Sequence, residues 1–314
     1  MIQDIAPHHL DNSWRPEAKP QADSMILCFQ GETVLHRTLL GEKRCYPEQA
    51  ILSGSGRMPE ETDEGRAEGC ESGRGSGKEL HLPRFHEFSF SGGEAFIYLF
   101  SLDGHGWFLM EGEPAALPEG YSYLPVHRFR RENYGPRTGI FAAITAYQLY
   151  HWYRSNRFCG ACGHAMEQSE GERALVCPAC GHVVYPRIVP AVIVGVRHED
   201  RLLVTRYAKG FAHDALVAGF TEIGETLEET AAREVLEETG LRVRNIRYYK
   251  SQPWGIADDI LAGFFCELDG SPEIHLDRSE LKLAEWKTRE EICLQPDDFS
   301  LTNEMMREFK EGRQ

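Results

Sequence analysis

The chain has 314 residues, of which 41% are hydrophobic and 26% charged, and its formal net charge is −15. A chain this long predicts two or three units rather than one core, and the charge argues against a general polyanion-binding surface. No uncharged apolar run approaches the roughly 18 residues that a membrane helix needs. The opening Met1-Ile2-Gln3-Asp4 lacks a basic segment followed by an apolar core, so the expectation is a cytoplasmic protein with reduced thiols.

Residues 1–24 are polar and irregular, and read as a loose terminus or an edge element. Short apolar stretches follow at Met25–Phe29 and Thr33–Leu40. Ser53–Lys78 then holds seven Gly and no Val, Ile, Leu, Phe, Tyr or Trp. Such a segment cannot bury enough apolar surface to offset its ordering entropy, which predicts a disordered insertion. Phe96–Leu102 and Trp107–Met110 flank Asp103-Gly104-His105-Gly106, a hairpin signal. Arg137–Arg154 has helical spacing, with Ile140, Ile144, Tyr147, Leu149 and Trp152 available for burial. Strands are predicted at Ile188–Val196 and Arg201–Arg206, then a strongly acidic helix over about Thr226–Thr239, more strands and a C-terminal helix. Strands interleaved with helices indicate a mixed α/β fold.

Cys159-Gly-Ala-Cys162-Gly163 and Cys177-Pro-Ala-Cys180-Gly181 form two similar knuckles with fourteen residues between them. Thiolates at i and i+3 of a tight turn both reach one ion, and zinc takes four such ligands in a tetrahedron. Paired disulfides or a redox site are the competing readings. With four Lys/Arg against three Asp/Glu over Arg154–Arg187, the ribbon is no basic patch, which favours a structural role over nucleic-acid contact. His164 and His182 are then expected to face solvent.

In the acidic helix, Glu234, Glu237 and Glu238 share one arc of about 100°. Ala231, Ala232, Val235 and Leu236 fill a neighbouring arc that can face a core, and Gly240 is a natural C-terminal stop. Crowded carboxylates repel one another, and a divalent cation such as Mg²⁺ or Mn²⁺ relieves that repulsion. An ordinary solvated acidic face satisfies the same spacing.

The stretch resembles the Nudix signature at every defined position. It reads Gly219, five residues, Glu225, seven residues, Arg233-Glu234, an aliphatic, one residue, Glu237-Glu238, one residue, Gly240 and an aliphatic. The preceding ribbon and Ser251-Gln252-Pro253-Trp254 resemble the NADH pyrophosphatase branch of that superfamily. After the Trp that branch continues Pro-Phe-Pro-any-Ser, whereas this chain reads Gly255-Ile256-Ala257-Asp258-Asp259.

The resemblance implies a Nudix α/β/α sandwich over 188–314, preceded by a zinc ribbon at 157–187 and a connecting helix at 136–156. Residues 1–135 take the place of a smaller, strand-rich Nudix-like domain. It further implies that Glu234, Glu237 and Glu238 hold two or three catalytic Mg²⁺ or Mn²⁺ ions, joined by the Ala218 carbonyl and Glu280, while Glu225 and Arg233 brace the loop and helix. Tyr185, Phe220 and Trp254 match positions near the substrate, with Glu172, Gln252 and Glu280 as polar contacts. In isolation each of these aromatics reads more often as core. The implied reaction is cleavage of NADH or NAD⁺ to nicotinamide mononucleotide and AMP, by a homodimer, with removal of NAD caps from RNA as the same cleavage. Another diphosphate substrate such as ADP-ribose, or a non-catalytic regulator, are the alternatives; the complete set of glutamates argues against the second.

Overall fold

The computed structural model describes residues 1–40, 78–132, 134–209 and 213–314. Eight short strands open the chain: β1 (Leu10–Asp11), β2 (Met25–Leu27), β3 (Phe29–Gln30), β4 (Thr33–Leu40), β5 (Lys78–His81), β6 (Ala95–Leu102), β7 (His105–Glu111) and β8 (Ser122–Pro125). They form one sheet in the order β1-β6-β7-β2 and another in the order β3-β4-β5, with β8 also paired to β4. The predicted hairpin is present, but its turn is only Asp103-Gly104, both at positive φ (51° and 82°), while His105 and Gly106 enter β7. Two left-handed residues match the right-handed twist of the flanking strands, so two suffice. The insertion expected over 53–78 lies outside the described residues, apart from Lys78, which belongs to β5.

The first residues are not loose. Ile2 is buried and its N–H donates to the Phe299 carbonyl at 2.9 Å, and Leu10–Asp11 pairs with the edge of β6. Helix α1 (His127–Arg131) leads to α2 (Arg137–Ser155), whose predicted inward residues Ile140, Ile144, Tyr147, Leu149 and Trp152 are all buried. They pack with Leu27, Leu99, Phe100 and Phe129 in one core, which α2 shares with the N-terminal strands. Three two-residue strands follow, β9 (Glu167–Gln168), β10 (Leu175–Val176) and β11 (Val183–Val184).

The remaining elements are β12 (Val189–His198), β13 (Arg201–Tyr207), β14 (Val217–Phe220), α3 (Leu227–Thr239), β15 (Val243–Trp254), β16 (Asp259–Leu268), β17 (Leu281–Thr288) and α4 (Leu301–Lys310). Their strands make one mixed sheet, β15-β16-β12-β13-β17, with β14 also paired to β12. Side-chain alternation divides its two faces. Val192, Val194, Val196, Ala262 and Phe264 meet Ala231 and Val235 of α3. Ile193, Leu202, Val204 and Phe265 meet Leu301, Met305 and Phe309 of α4. The result is the expected helix–sheet–helix sandwich. Leu236, expected to face a core, is instead 46% exposed, because the core-facing arc of α3 turns through Glu234 and Glu238 rather than through it. Among the described residues no helix is long and apolar enough to cross a membrane.

The segment before α4 joins the two halves. Gln252 on β15 is completely buried. Its Nε2 donates to the Phe299 carbonyl at 2.7 Å and to Gln3 Oε1 at 3.1 Å, and its Oε1 accepts from the Leu301 N–H at 2.7 Å. Arg130 of α1 donates to Asp297 at 2.9 Å and Gln295 at 3.1 Å, and Arg137 of α2 pairs with Asp298. Gln252 is therefore a junction residue, which corrects its expected role as a substrate contact: every polar atom of its side chain is spent inside the protein. Gln252→Ala should leave the Leu301 N–H unsatisfied and cost about 2–3 kcal/mol, at about 1–3 kcal/mol per orphaned buried group. Urea unfolding checks this, and a loss under about 0.5 kcal/mol, the range of an ordinary surface substitution, would contradict it.

Candidate active site

The loop into α3 is held by two nested sets of hydrogen bonds. Thr226 caps the helix, its hydroxyl accepting from the Glu229 N–H at 3.2 Å while Glu229 accepts from the Thr226 N–H at 2.8 Å. Around that cap, Arg233 grips Glu225 with both arms of its guanidinium, at 2.6 and 3.0 Å. The same arginine donates to the Phe220 carbonyl at 2.9 Å, tying the end of β14 to the helix. Glu225 also accepts from the Thr230 hydroxyl at 2.9 Å. The Arg233 fork, aided by the Glu222 and Thr230 bonds, holds the Glu225 carboxyl down at about 2. A carboxylate so heavily supplied with donors is a poor proton acceptor.

The three helix glutamates are unlike one another. Glu237 is exposed and is reached by Arg233 at 3.0 Å. Glu234 is buried and shares the same guanidinium nitrogen at 2.8 Å. It packs so closely on β14 that a Cβ at Gly219 would stand 2.0 Å from its carboxyl carbon, so only glycine fits there. Glu238 is 2% exposed, and among the described residues its Oε2 has no hydrogen-bond partner. Burial, followed by the neighbouring Glu234, Glu280, Asp277 and Glu237 carboxylates, pushes the Glu238 carboxyl up to about 8. Burial likewise raises Glu234. Buried carboxylates without enough counter-charge, backed by Glu280 and the β14 backbone at Ala218, form an oxygen-only donor set that a hard divalent cation could fill.

Beside this face lies a cavity of about 350 Å³, lined by Ala218, Gly219 and Phe220 of β14, Tyr207 of β13, Trp254 and Asp259. Its volume suits one base with its sugar rather than a whole dinucleotide. Phe220 is half exposed to it, and the Arg130 guanidinium stands 5.1 Å from the centre of the Trp254 ring. Tyr207 was not foreseen from the sequence. Its phenol is raised to about 12, by burial and then by Glu238, Glu234 and Glu280, so it bridges the acidic face and the cavity as a neutral group. Arg130, Asp259 and Gln295 were missed as well. Only Asp259 carried a signal, as part of the altered segment after Trp254.

Tyr185 and Glu172 sit elsewhere in the chain. The Tyr185 hydroxyl donates to Glu172 at 2.8 Å, and its ring lines a second cavity with Gln148, His151, Arg187 and Asp258. The two cavities share no lining residue and adjoin where Asp258, which lines one, stands between Ala257 and Asp259, which line the other.

The four cysteines converge as expected. Their sulfur atoms all lie within 4.8 Å of one another, with contacts of 3.4 Å (Cys162 to Cys177 and to Cys180) and 3.6 Å (Cys159 to Cys180). Four thiolates at ~2.3 Å from zinc stand roughly 3.8 Å apart, so the cluster is close to a zinc tetrahedron. In each knuckle the glycine after the second cysteine has positive φ (77° at Gly163, 75° at Gly181) and its N–H donates back to the first cysteine's carbonyl. His164 and His182 are exposed, as expected. The helix glutamates are spread more widely than the thiolates, since Arg233 draws Glu234 and Glu237 towards itself.

A model of the NUDIX domain matches residues 186–309, and one of the NADH pyrophosphatase zinc ribbon domain matches residues 154–185. A protein of Salmonella heidelberg named NAD-capped RNA hydrolase NudC is 44% identical over 151 residues, 48% of this chain and 58% of that protein. The protein of the same name from Klebsiella pneumoniae is 41% identical over 190 residues, 57% of this chain and 72% of that protein. The chain thus spans somewhat over half the length of the Salmonella relative, 58%. Among solved structures, a NUDIX hydrolase from Nitrosomonas europaea is similar at 25% identity and a TM-score of 0.43, covering 50% of this chain and 92% of that one.

The burial of Glu238 has a measurable consequence in protein freed of divalent ions. A carboxyl raised in the folded state contributes stability that is complete below its unfolded pKa of about 4.3 and is lost as pH rises through the folded value. With that value at about 8, the melting temperature in chelator should fall between pH 5 and 8. Adding Mg²⁺ should raise it more at pH 8 than at pH 6, and Glu238→Gln should flatten both trends. Thermal unfolding of the two proteins side by side is the check; superimposable pH profiles would mean that Glu238 ionises freely.

Proposed function

We propose, from the premise that the chain belongs to the NADH pyrophosphatase family of Nudix hydrolases, that it hydrolyses the pyrophosphate bond of NAD(H), releasing AMP and nicotinamide mononucleotide. The observation that carries this reading is the buried, unpartnered Glu238 oxygen on an acidic face that adjoins an aromatic cavity sized for one nucleoside. Mg²⁺ or Mn²⁺ bound at Glu234, Glu237, Glu238, Glu280 and the Ala218 carbonyl would neutralise the diphosphate oxyanions and acidify a water. Arg233 and Glu225 hold those carboxylates in place through the loop and the helix start. Glu238 is our choice to accept the water's proton: burial raises its proton affinity, whereas Glu237 is engaged by Arg233. Phe220 and Trp254 would stack on a base.

The relatives' names point to NAD-capped RNA as a second form of the same substrate. Family likeness also supports a homodimer in the cytoplasm, with Tyr185 and Glu172 presented to substrate there. The altered Gly255–Asp259 segment favours one further reading, a diphosphate such as ADP-ribose.

Product identification with NADH, NAD⁺, an NAD-capped RNA, ADP-ribose and diadenosine polyphosphates, in Mg²⁺ or Mn²⁺, separates these readings. AMP and nicotinamide mononucleotide from the dinucleotides, with a loss of ~100-fold or more in Glu238→Gln, is the expected result. Turnover confined to another diphosphate would remove the NAD(H) assignment and leave the Nudix chemistry. For the oligomer, light scattering at micromolar concentration should give twice the chain mass, and a monomer mass would dispose of the dimer.

A further inference from the structure

Asp259 begins β16, opposite Trp254 on β15 and Val189 on β12. Alternation along β16 sets Ala262 and Phe264 against α3, and Leu261 and Phe265 against α4. Asp259 is in phase with Leu261. Both line the cavity of Phe220 and Trp254, and Ile260 between them does not. The Asp259 carboxyl therefore faces the cavity. It is 6% exposed, and among the described residues its Oδ1 has no hydrogen-bond partner.

Burying a carboxyl without a partner is costly, and proteins normally supply a cation or several N–H donors. The cation that lines this cavity is Arg130, and it is committed to Asp297 at 2.9 Å and Gln295 at 3.1 Å while it covers the Trp254 ring. Arg130 and Asp297 thus balance each other and leave the Asp259 charge uncompensated. The NADH pyrophosphatase pattern has a serine at this position, a neutral donor and acceptor. An ionised carboxylate differs from it in two respects that a bound ring can sense: it only accepts hydrogen bonds, and it is charged. A complementary ligand is flat, to stack on aromatic side chains, carries positive charge, and offers an N–H. A pyridinium carboxamide has all three properties, whereas the dihydropyridine of the reduced form keeps the amide and loses the charge.

We infer that Asp259 is a specificity residue that reads the charge of the ring in this cavity, favouring dinucleotides with an oxidised, cationic nicotinamide over their reduced forms. The inference rests on the proposed hydrolysis of NAD(H) and adds to it a preference between the two redox states. Asp259 lies outside the acidic face of α3, so it changes which ring is held without supplying the groups that cut the diphosphate.

The test is the ratio of kcat/KM for NAD⁺ to that for NADH, in the intact protein with Mg²⁺, for wild type, Asp259→Asn and Asp259→Ser. The asparagine keeps the shape and removes the charge; the serine is the family residue. The ratio should fall about tenfold in both variants, mainly through a higher KM for NAD⁺. A ratio that moves less than twofold overturns the inference. So does an equal loss on both substrates in both variants, which would make Asp259 a structural residue. Wild type that cleaves neither dinucleotide brings down the functional reading itself and this inference with it, whereas wild type that cleaves both at an unaltered ratio in the variants brings down this inference alone.

Discussion

Helix α3 packs on its sheet through a surface that is partly acidic. Ala231 and Val235 make the usual apolar contact, but the next buried positions around the helix are Glu234 and Glu238. Helix–sheet interfaces are apolar because a buried carboxylate loses its hydration, and a single uncompensated one costs several kcal/mol in effective terms. The rest of the site is arranged around that difficulty. Gly219 gives up its side chain so that Glu234 has room against β14. Arg233 spends one nitrogen on Glu234 and Glu237 and the other two on Glu225 and the Phe220 carbonyl. Among the described residues no donor does the same for Glu238 Oε2.

This division explains why five carboxylates in one region do different work. Glu225 is so well supplied with donors that its proton is lost far below neutrality, and it functions as part of the backbone's scaffolding. Glu238 is so poorly supplied that it keeps its proton unless a cation replaces it. Glu234 lies between them, with one guanidinium nitrogen and little water. The proposed chemistry would draw on both extremes: a braced loop, and a pocket of electrostatic cost that a bound cation would relieve. A surface cluster of the same composition would give the second only weakly, because water screens exposed carboxylates from each other.

The local signals were readable because short-range rules produce them. The knuckles, the acidic arc, the hairpin and the inward face of α2 all follow from spacing within about twenty residues, and each appears where spacing put it. What spacing could not convey was the environment of each side chain. Glu237 and Glu238 are neighbours in sequence, yet one is in water and the other is enclosed, because successive residues of a helix point about 100° apart and only one of the two faces the sheet. Leu236 went the other way for the same reason. Gln252 sits within a recognisable substrate motif, yet the partners that consume it, Gln3, Phe299 and Leu301, come from both ends of the chain. Arg130 belongs to a five-residue helix whose composition says nothing of Trp254, more than a hundred positions away.

The segment that departs from the family pattern after Trp254 contains two kinds of change, and packing tells them apart. At position 255 any residue with a Cβ would stand 2.9 Å from the Ile144 carbonyl of α2, so the family's proline cannot be accommodated where this helix lies. Ile256 packs against the core that α2 shares with the N-terminal strands. Those two residues answer to α2, and they show that the loop has been refitted to a helix pressing closely on it. Asp258 then turns the chain through a left-handed conformation, φ 59°, which delivers Asp259 to the start of β16. Position 259 lines the cavity, whose lining includes no residue of α2, so the consequence of an aspartate in place of the pattern's serine falls on whatever the cavity holds. A loop altered only for fit would have kept a neutral group there, since burying a charge makes folding harder. The cost is accepted at a position that lines the cavity.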